Sequence, residues 1–326
     1  MKFAFITLLV LLAISCSDND DTTGNNGNES GRNFKQDMRD YVIGISQAAK
    51  VVNPNFAIIP QNGIELVTTN GEDDGNPDAA YLAAIDGNGQ EDLFYGYDND
   101  DQATGAEDTA YLRRLLDISK NAGNTILVTD YTSTTSKIAD SYSKNAVAGY
   151  VSFAATHRSL DNIPAGTPRN VNSDNITSLS QAKNFLYLIN PEGFANKSAF
   201  INAVMATNYD AVIMDLFLEN EQFTAAEIAQ LRNKANGGKR LVICYMSIGE
   251  AEDYRYYWQG NWTGNRPDWI ADENPDWPGN YKVKYWNDEW QGLIYKNRDS
   301  YLSKITNAGF DGVYLDIIDA FEYFEN

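Results

Sequence analysis

Eight short apolar runs alternate with helix-period segments along most of this chain, and that alternation restricts its fold more than any other feature. The runs are residues 57–60, 83–85 with 93–95 close by, 125–129, 146–153, 185–189, 211–217, 240–248 and 312–317. Most are continuously hydrophobic, as strands of a parallel sheet are when helices cover both faces. The segments between them have readable ends. Thr224 to Glu227 forms a capping box, Phe223 and Ile228 are spaced as its hydrophobic staple, and Gly237-Gly238 is expected to stop that helix. Residues 107–120 are amphipathic and end near Gly123, while Trp290, Leu293, Ile294, Tyr301, Leu302 and Ile305 keep helical spacing up to Gly309. Eight βα units in roughly 290 residues predict an α/β fold, a single (β/α)8 TIM barrel, with an open doubly wound sheet as the runner-up. No Gly-x-Gly-x-x-Gly follows a strand and no Walker pattern occurs, so nucleotide binding has no support.

The first residues read as an address. Lys2 precedes an apolar run at 3–14, too short for a membrane-spanning helix of about 20 residues. Ala13-Ile14-Ser15-Cys16 and the acidic Ser17-Asp18-Asn19-Asp20-Asp21 follow. Residues 1–15 resemble a bacterial lipoprotein signal with Cys16 as the lipidated residue, although Ala13 stands where leucine is usual. An ordinary secretory signal is the alternative. The acidic run resembles surface-export signals, so the expected location is the outer membrane or cell surface of a Gram-negative bacterium. Residues 16–33 are expected to be a flexible tether, since nothing large and apolar occurs from Asp18 to Asn33.

Composition removes several partners. Twenty-five basic against 45 acidic residues leave a formal charge of -20, which repels nucleic acid and anionic membranes; the only membrane contact expected is the lipid at Cys16. One His and two Cys cannot make a Cys/His zinc site, and no metal or cofactor is expected. Cys244 reads as a core thiol, and the chain as a monomer.

Several apolar runs lead straight into carboxylates, and strand ends are where such a barrel builds its site. Residues 211–214 meet Asp215, 246–249 meet Glu250, and 313–315 meet Asp316; Glu91 follows Gly89-Gln90, 125–129 meet Asp130-Tyr131, and 57–60 meet Gln61-Asn62. Any one of these acids could cap a helix or pair with an arginine such as Arg255. The set suggests more, because two carboxylates, one acid and one base or nucleophile, are the apparatus of glycoside hydrolysis. Between Glu250 and Trp290 lies an aromatic-rich insertion whose Tyr254, Trp277, Tyr281 and Trp286 are candidates for stacking on sugar rings, though most of its rings are expected to fill its own small core. His157 reads as structural.

Three segments carry a family resemblance: Ser247-Ile248-Gly249-Glu250-Ala251-Glu252-Asp253-Tyr254-Arg255, Asn274-Pro275-Asp276-Trp277-Pro278-Gly279-Asn280-Tyr281, and Gly309-Phe310-Asp311-Gly312-Val313-Tyr314-Leu315-Asp316. They resemble the glycosidase barrels related to endo-α-1,4-polygalactosaminidases, and the likeness covers nearly all of 34–326. The order is rotated. The segment that follows the Asp316 strand in the family, through Ile58-Ile59-Pro60-Gln61-Asn62-Gly63, stands here at the N-terminal side. The resemblance therefore implies a circularly permuted single domain at 34–326, with family units five to eight at 34–164 and units one to four at 180–326; a truncated or fused chain is the competing explanation. The aromatic insertion then follows the third family strand. The resemblance implies Asp316 as nucleophile and Glu91 as general acid/base. Asp215, Glu250 and Arg255 fall on family positions of the same mouth, and Tyr254, Gln61, Asn62, Asp130, Tyr131, Trp277, Tyr281 and Trp286 complete the expected substrate contacts. Glu91 is expected to titrate above Asp316. The expected substrate is a polysaccharide, with an α-1,4-linked galactosamine-containing polymer as its specific form. A non-catalytic glycan-binding surface lipoprotein is the alternative.

Overall fold

Continuously apolar strands have no water to satisfy their backbones, so their N–H and C=O groups must pair with one another. The computed structural model describes residues 31–325. The signal, Cys16 and most of the tether, residues 1–30, lie outside the described residues. In chain order the strands are β1 (Ala57–Pro60), β2 (Gly87–Glu91), β3 (Thr125–Tyr131), β4 (Val151–Ala155), β5 (Phe185–Tyr187), β6 (Ala211–Met214), β7 (Phe217–Leu218), β8 (Glu221–Gln222), β9 (Leu241–Ser247), β10 (Glu250–Glu252), β11 (Ile270–Glu273), β12 (Asn280–Val283) and β13 (Gly312–Asp316). The helices are α1 (Phe34–Val52), α2 (Ala79–Ala84), α3 (Ala106–Asn121), α4 (Thr135–Ala148), α5 (Lys197–Met205), α6 (Ala225–Leu231), α7 (Asp288–Gln291), α8 (Tyr301–Ala308) and α9 (Phe321–Glu325).

β1, β13, β9, β6 and β5 form a parallel five-stranded sheet, and β2, β3 and β4 a parallel three-stranded one. A parallel bridge between Gln61 and Gly89 joins them, with Asn62 N–H donating to Gly89 O at 2.9 Å. The interior between strands is filled by side chains: Tyr187 and Tyr314 meet with ring centroids 5.1 Å apart.

The structure corrects several expected bounds. Residues 83–85 belong to the end of α2 and its cap, and 93–95 to a buried loop; the strand between is β2, whose sequence Gly-Asn-Gly-Gln-Glu has no apolar side chain. Packing explains its composition. A Cβ on Gly89 would stand 2.0 Å from the Tyr314 hydroxyl, so only glycine lets that ring occupy the interior. Asn88 is buried and its Oδ1 accepts from Ser119 Oγ of α3 at 2.5 Å. Residues 146–148 end α4, Gly149 turns the chain at φ 74°, and β4 starts at Val151. The Thr224 capping box is present, but α6 ends at Leu231, before Gly237. Lys234, fully buried, pulls the chain inward to pair with Asp210 at 2.9 Å. The expected helix across 290–308 breaks into α7, a π-helical turn at Gly292–Lys296 and α8, which Ser300 caps afresh.

The aromatic insertion contains an antiparallel sheet of its own in the order β10-β12-β11. Trp258, Trp262, Trp269 and Trp290 follow one another edge to face or tilted, at 5.2–5.3 Å between centroids, forming its core.

Candidate active site

Parallel strands deliver their last residues to one end, and there the chain encloses a cavity of about 780 Å³. Ten of the thirteen site residues expected from sequence line it: Gln61, Asn62, Glu91, Tyr131, Asp215, Glu250, Tyr254, Arg255, Trp277 and Asp316.

Asp316 is the last residue of β13. Its Oδ2 accepts from the Tyr245 hydroxyl at 2.6 Å and its Oδ1 from Ile317 N at 2.7 Å. Burial first, then the negative charge of Glu91, pushes its carboxyl up from 3.8 to about 7, against those two donors. A close approach holds it, since a Cβ on Gly249 would lie 2.2 Å from Ile317 O, so the loops after β9 and β13 touch through glycine.

Glu91, at the end of β2, is surrounded by donors. Gln61 Nε2 donates to its Oε2 at 2.5 Å and Asn62 Nδ2 to the same oxygen at 3.0 Å, while the Tyr131 hydroxyl donates to Oε1. Asn62 holds a left-handed φ of 57° and its Oδ1 accepts from Glu91 N at 3.0 Å. The Arg158 guanidinium stacks 3.9 Å from the Tyr131 ring centroid and pairs with Asp92 at 2.8 Å.

The wall opposite is an ion-pair network. Arg255 binds Asp215 through two nitrogens, at 2.9 and 2.7 Å, and Glu252 through Nε at 2.5 Å; the Tyr254 hydroxyl donates to Glu252 at 2.6 Å. Asp215 thus serves Arg255 and the Phe217 N–H (2.7 Å) that opens the β7–β8 hairpin. Glu250 is buried; one oxygen takes Lys282 and Asn274, both at 2.8 Å.

Three expected contacts lie elsewhere. Asp130 is fully buried beneath the strand end, accepting from Phe94 N, Tyr95 N, Ser141 Oγ and Asn145 Nδ2, so it ties the loop after β2 to α4. Tyr281 is buried and stacks on Trp258 at 5.0 Å. Trp286 packs against Phe34 and Phe324, at 5.1 and 4.8 Å. All three look the same in sequence as residues that do reach the mouth; the neighbouring element decides. Conversely Tyr187, Tyr245, Glu252 and Arg158 line the cavity without having been expected. The two tyrosines carried a signal, a hydroxyl within an otherwise buried strand, which requires a polar partner nearby.

Residues 166–326 match the model of glycoside-hydrolase family GH114. That stretch, just under half of the chain, is similar to this glycoside-hydrolase family. The match agrees with the polygalactosaminidase resemblance of the Asp316 and Glu250 segments. An uncharacterized protein of Methanocaldococcus jannaschii is 37% identical over 181 residues, 54% of this chain and 49% of that one. Uncharacterized proteins of Thermotoga maritima and Deinococcus radiodurans are 50% identical over 120 residues and 40% over 126, covering 37% and 39% of this chain and 36% and 38% of theirs. The chain therefore spans half the length of these relatives or less. Within the GH114 stretch lie Asp215, Glu250, Arg255 and Asp316; Glu91, Gln61, Asn62 and Tyr131 are brought to them only by the fold.

Proposed function

We propose that this chain hydrolyses a polysaccharide with Asp316 and Glu91 as its two working carboxyls. One observation carries the reading: Asp316 and Glu91 end β13 and β2, strands with only β1 between them, and both line the same cavity. At about 4.8 Å per strand their backbones are about 10 Å apart, a span from which inward side chains reach the separations glycosidases use. Glu91 gives its proton to the glycosidic oxygen while Asp316 attacks the anomeric carbon; the aglycone leaves, and Glu91 then takes a proton from the water that releases the sugar. Attack requires the Asp316 carboxylate, which burial disfavours. A substrate ammonium nearby favours it. The cavity lining, with eight carboxylates and two guanidiniums, suits a cationic polymer, and an α-1,4-linked galactosamine-containing chain is the proposed substrate. Tyr254 and Trp277, 59% and 63% exposed at the rim, offer ring faces to the sugars.

We also infer that the two sheets are arcs of a closed, circularly permuted barrel. Phe153 of β4 and Phe185 of β5 meet at 5.8 Å, and the match to the family begins at residue 166, beside the expected junction after 164. α9 runs to α1 in space: Phe324 lies 5.7 Å from Phe34, and Glu325 pairs with Lys35 at 2.5 Å. With the lipoprotein-like signal at Cys16, the proposed setting is a monomer anchored at the outer membrane or cell surface. The test is release of reducing ends from α-1,4-galactosamine polymers of varied N-acetylation. Wild type should cleave and Asp316→Asn should bind without cleaving; binding without turnover by wild type would make this a glycan-binding lipoprotein instead.

A further inference from the structure

The donors around Glu91 are themselves oriented, and the orientation leads back to a residue outside the site as predicted. Tyr187, fully buried on β5, donates its phenolic proton to Gln61 Oε1 at 2.8 Å across the interior. A primary amide has one acceptor end and one donor end, so this bond turns Gln61 Nε2 toward Glu91. Asn62 is fixed the same way. Its Oδ1 takes Glu91 N at 3.0 Å and Gln90 Nε2 at 3.3 Å, which leaves Nδ2 for Glu91. Both amides therefore present N–H to one oxygen, Oε2, and an oxygen facing two fixed donors cannot hold a proton. Oε1 differs, because its partner is the Tyr131 hydroxyl, which can rotate from donating to accepting.

We propose that Tyr187 is a positioning residue for the acid/base: by locking the Gln61 amide it keeps Oε2 unprotonated and confines the transferable proton of Glu91 to Oε1. The proposal rests on the reading of Glu91 as acid/base. The bond from Tyr187 favours the charged form of Glu91 indirectly, since it holds a donor on the carboxylate. Without it Gln61 is free to flip, present its own oxygen to Oε2 and accept a proton there. No other function is needed to explain why a polar ring on β5 reaches across to the residue after β1.

The experiment is a carboxyl-carbon NMR titration of the folded protein labelled at glutamate side chains, with the Glu91 signal assigned by its loss in Glu91→Gln. Tyr187→Phe should raise the Glu91 midpoint by half a unit or more, and the same substitution in a Gln61→Met background should leave it unmoved, because the amide it acts through is gone. An unchanged midpoint in Tyr187→Phe, or an equal shift with Gln61→Met already present, overturns the proposal. Thermal unfolding of each variant separates these outcomes from loss of the fold, which would collapse all signals together. A polymer-cleavage assay of Glu91→Gln tests the underlying reading separately: retained turnover there removes Glu91 as acid/base whatever the titration shows. With Glu91 upheld, the pH–kcat profile of Tyr187→Phe should move its alkaline limb up while KM changes less than twofold; a uniform loss at every pH would mean a merely structural role.

Discussion

Asp316 holds two opposing requirements in one side chain. Its carboxyl is pushed up from 3.8 to about 7, so the folded state binds a proton more tightly than the unfolded chain between those values. Stability from this group is full below about pH 4 and lost as pH rises through 7. Asp316→Asn should abolish turnover and, at pH 8, stabilise the protein by about 2–4 kcal/mol, since one unit is worth about 1.4 kcal/mol. At pH 4 the gain should vanish. Denaturant unfolding at the two pH values checks this; equal gains at both would show that Asp316 is not strained toward neutrality. Tyr245→Phe removes a donor that lowers the same carboxyl. The acidic limb of activity should then move above pH 7, read from a pH–rate profile. Nothing in sequence reveals this behaviour, because it arises from burial beside Glu91, 225 positions away along the chain by number.

At the scale of elements, the aromatic insertion divides its rings between two jobs. Trp277 is exposed at the rim, whereas Tyr281, four residues later, is buried on Trp258. Trp277→Ala should raise KM for a polymer about 3–10-fold with little loss of stability, as expected for one lost ring contact of about 0.5–1.5 kcal/mol. Tyr281→Ala should instead destabilise the fold by about 3 kcal/mol. Calorimetry on both variants, with polymer kinetics on the first, checks the division. β2 shows the opposite case, a strand without apolar side chains. Gly89→Ala puts a Cβ against Tyr314, so it should lower the melting temperature by several degrees and disturb Glu91, two residues on.

For the whole molecule, the meeting of α9 with α1 makes a test of chain order. Joining 325 to 34 with a short linker, and opening the chain between 164 and 170, should yield a folded protein with the family's usual order. Its circular dichroism and cleavage activity should match the parent, because the same strands pair and only loops are recut. Failure to fold despite a compliant linker would count against permutation. Buried ion pairing supports the choice of cut: Asp210 and Lys234 hold the segment near Asn172 through bonds of 2.8–3.0 Å, so the opening belongs before residue 170.

Sequence by itself determined the alternation of strands and helices, the capping box at Thr224, and the acids that strand ends deliver, because these depend on periodicity and local hydrogen bonding. It also carried the GH114 likeness, through motifs contiguous in the chain. Tertiary structure alone decided the rest. Gly-Asn-Gly-Gln-Glu is a strand without apolar side chains, and the Tyr314 ring of β13 takes the room that Gly89 leaves. Asp130 and Tyr131 are adjacent and alternate across β3, so one side chain goes down to α4 and the other to Glu91, and the direction of that alternation is fixed by which neighbours bury it.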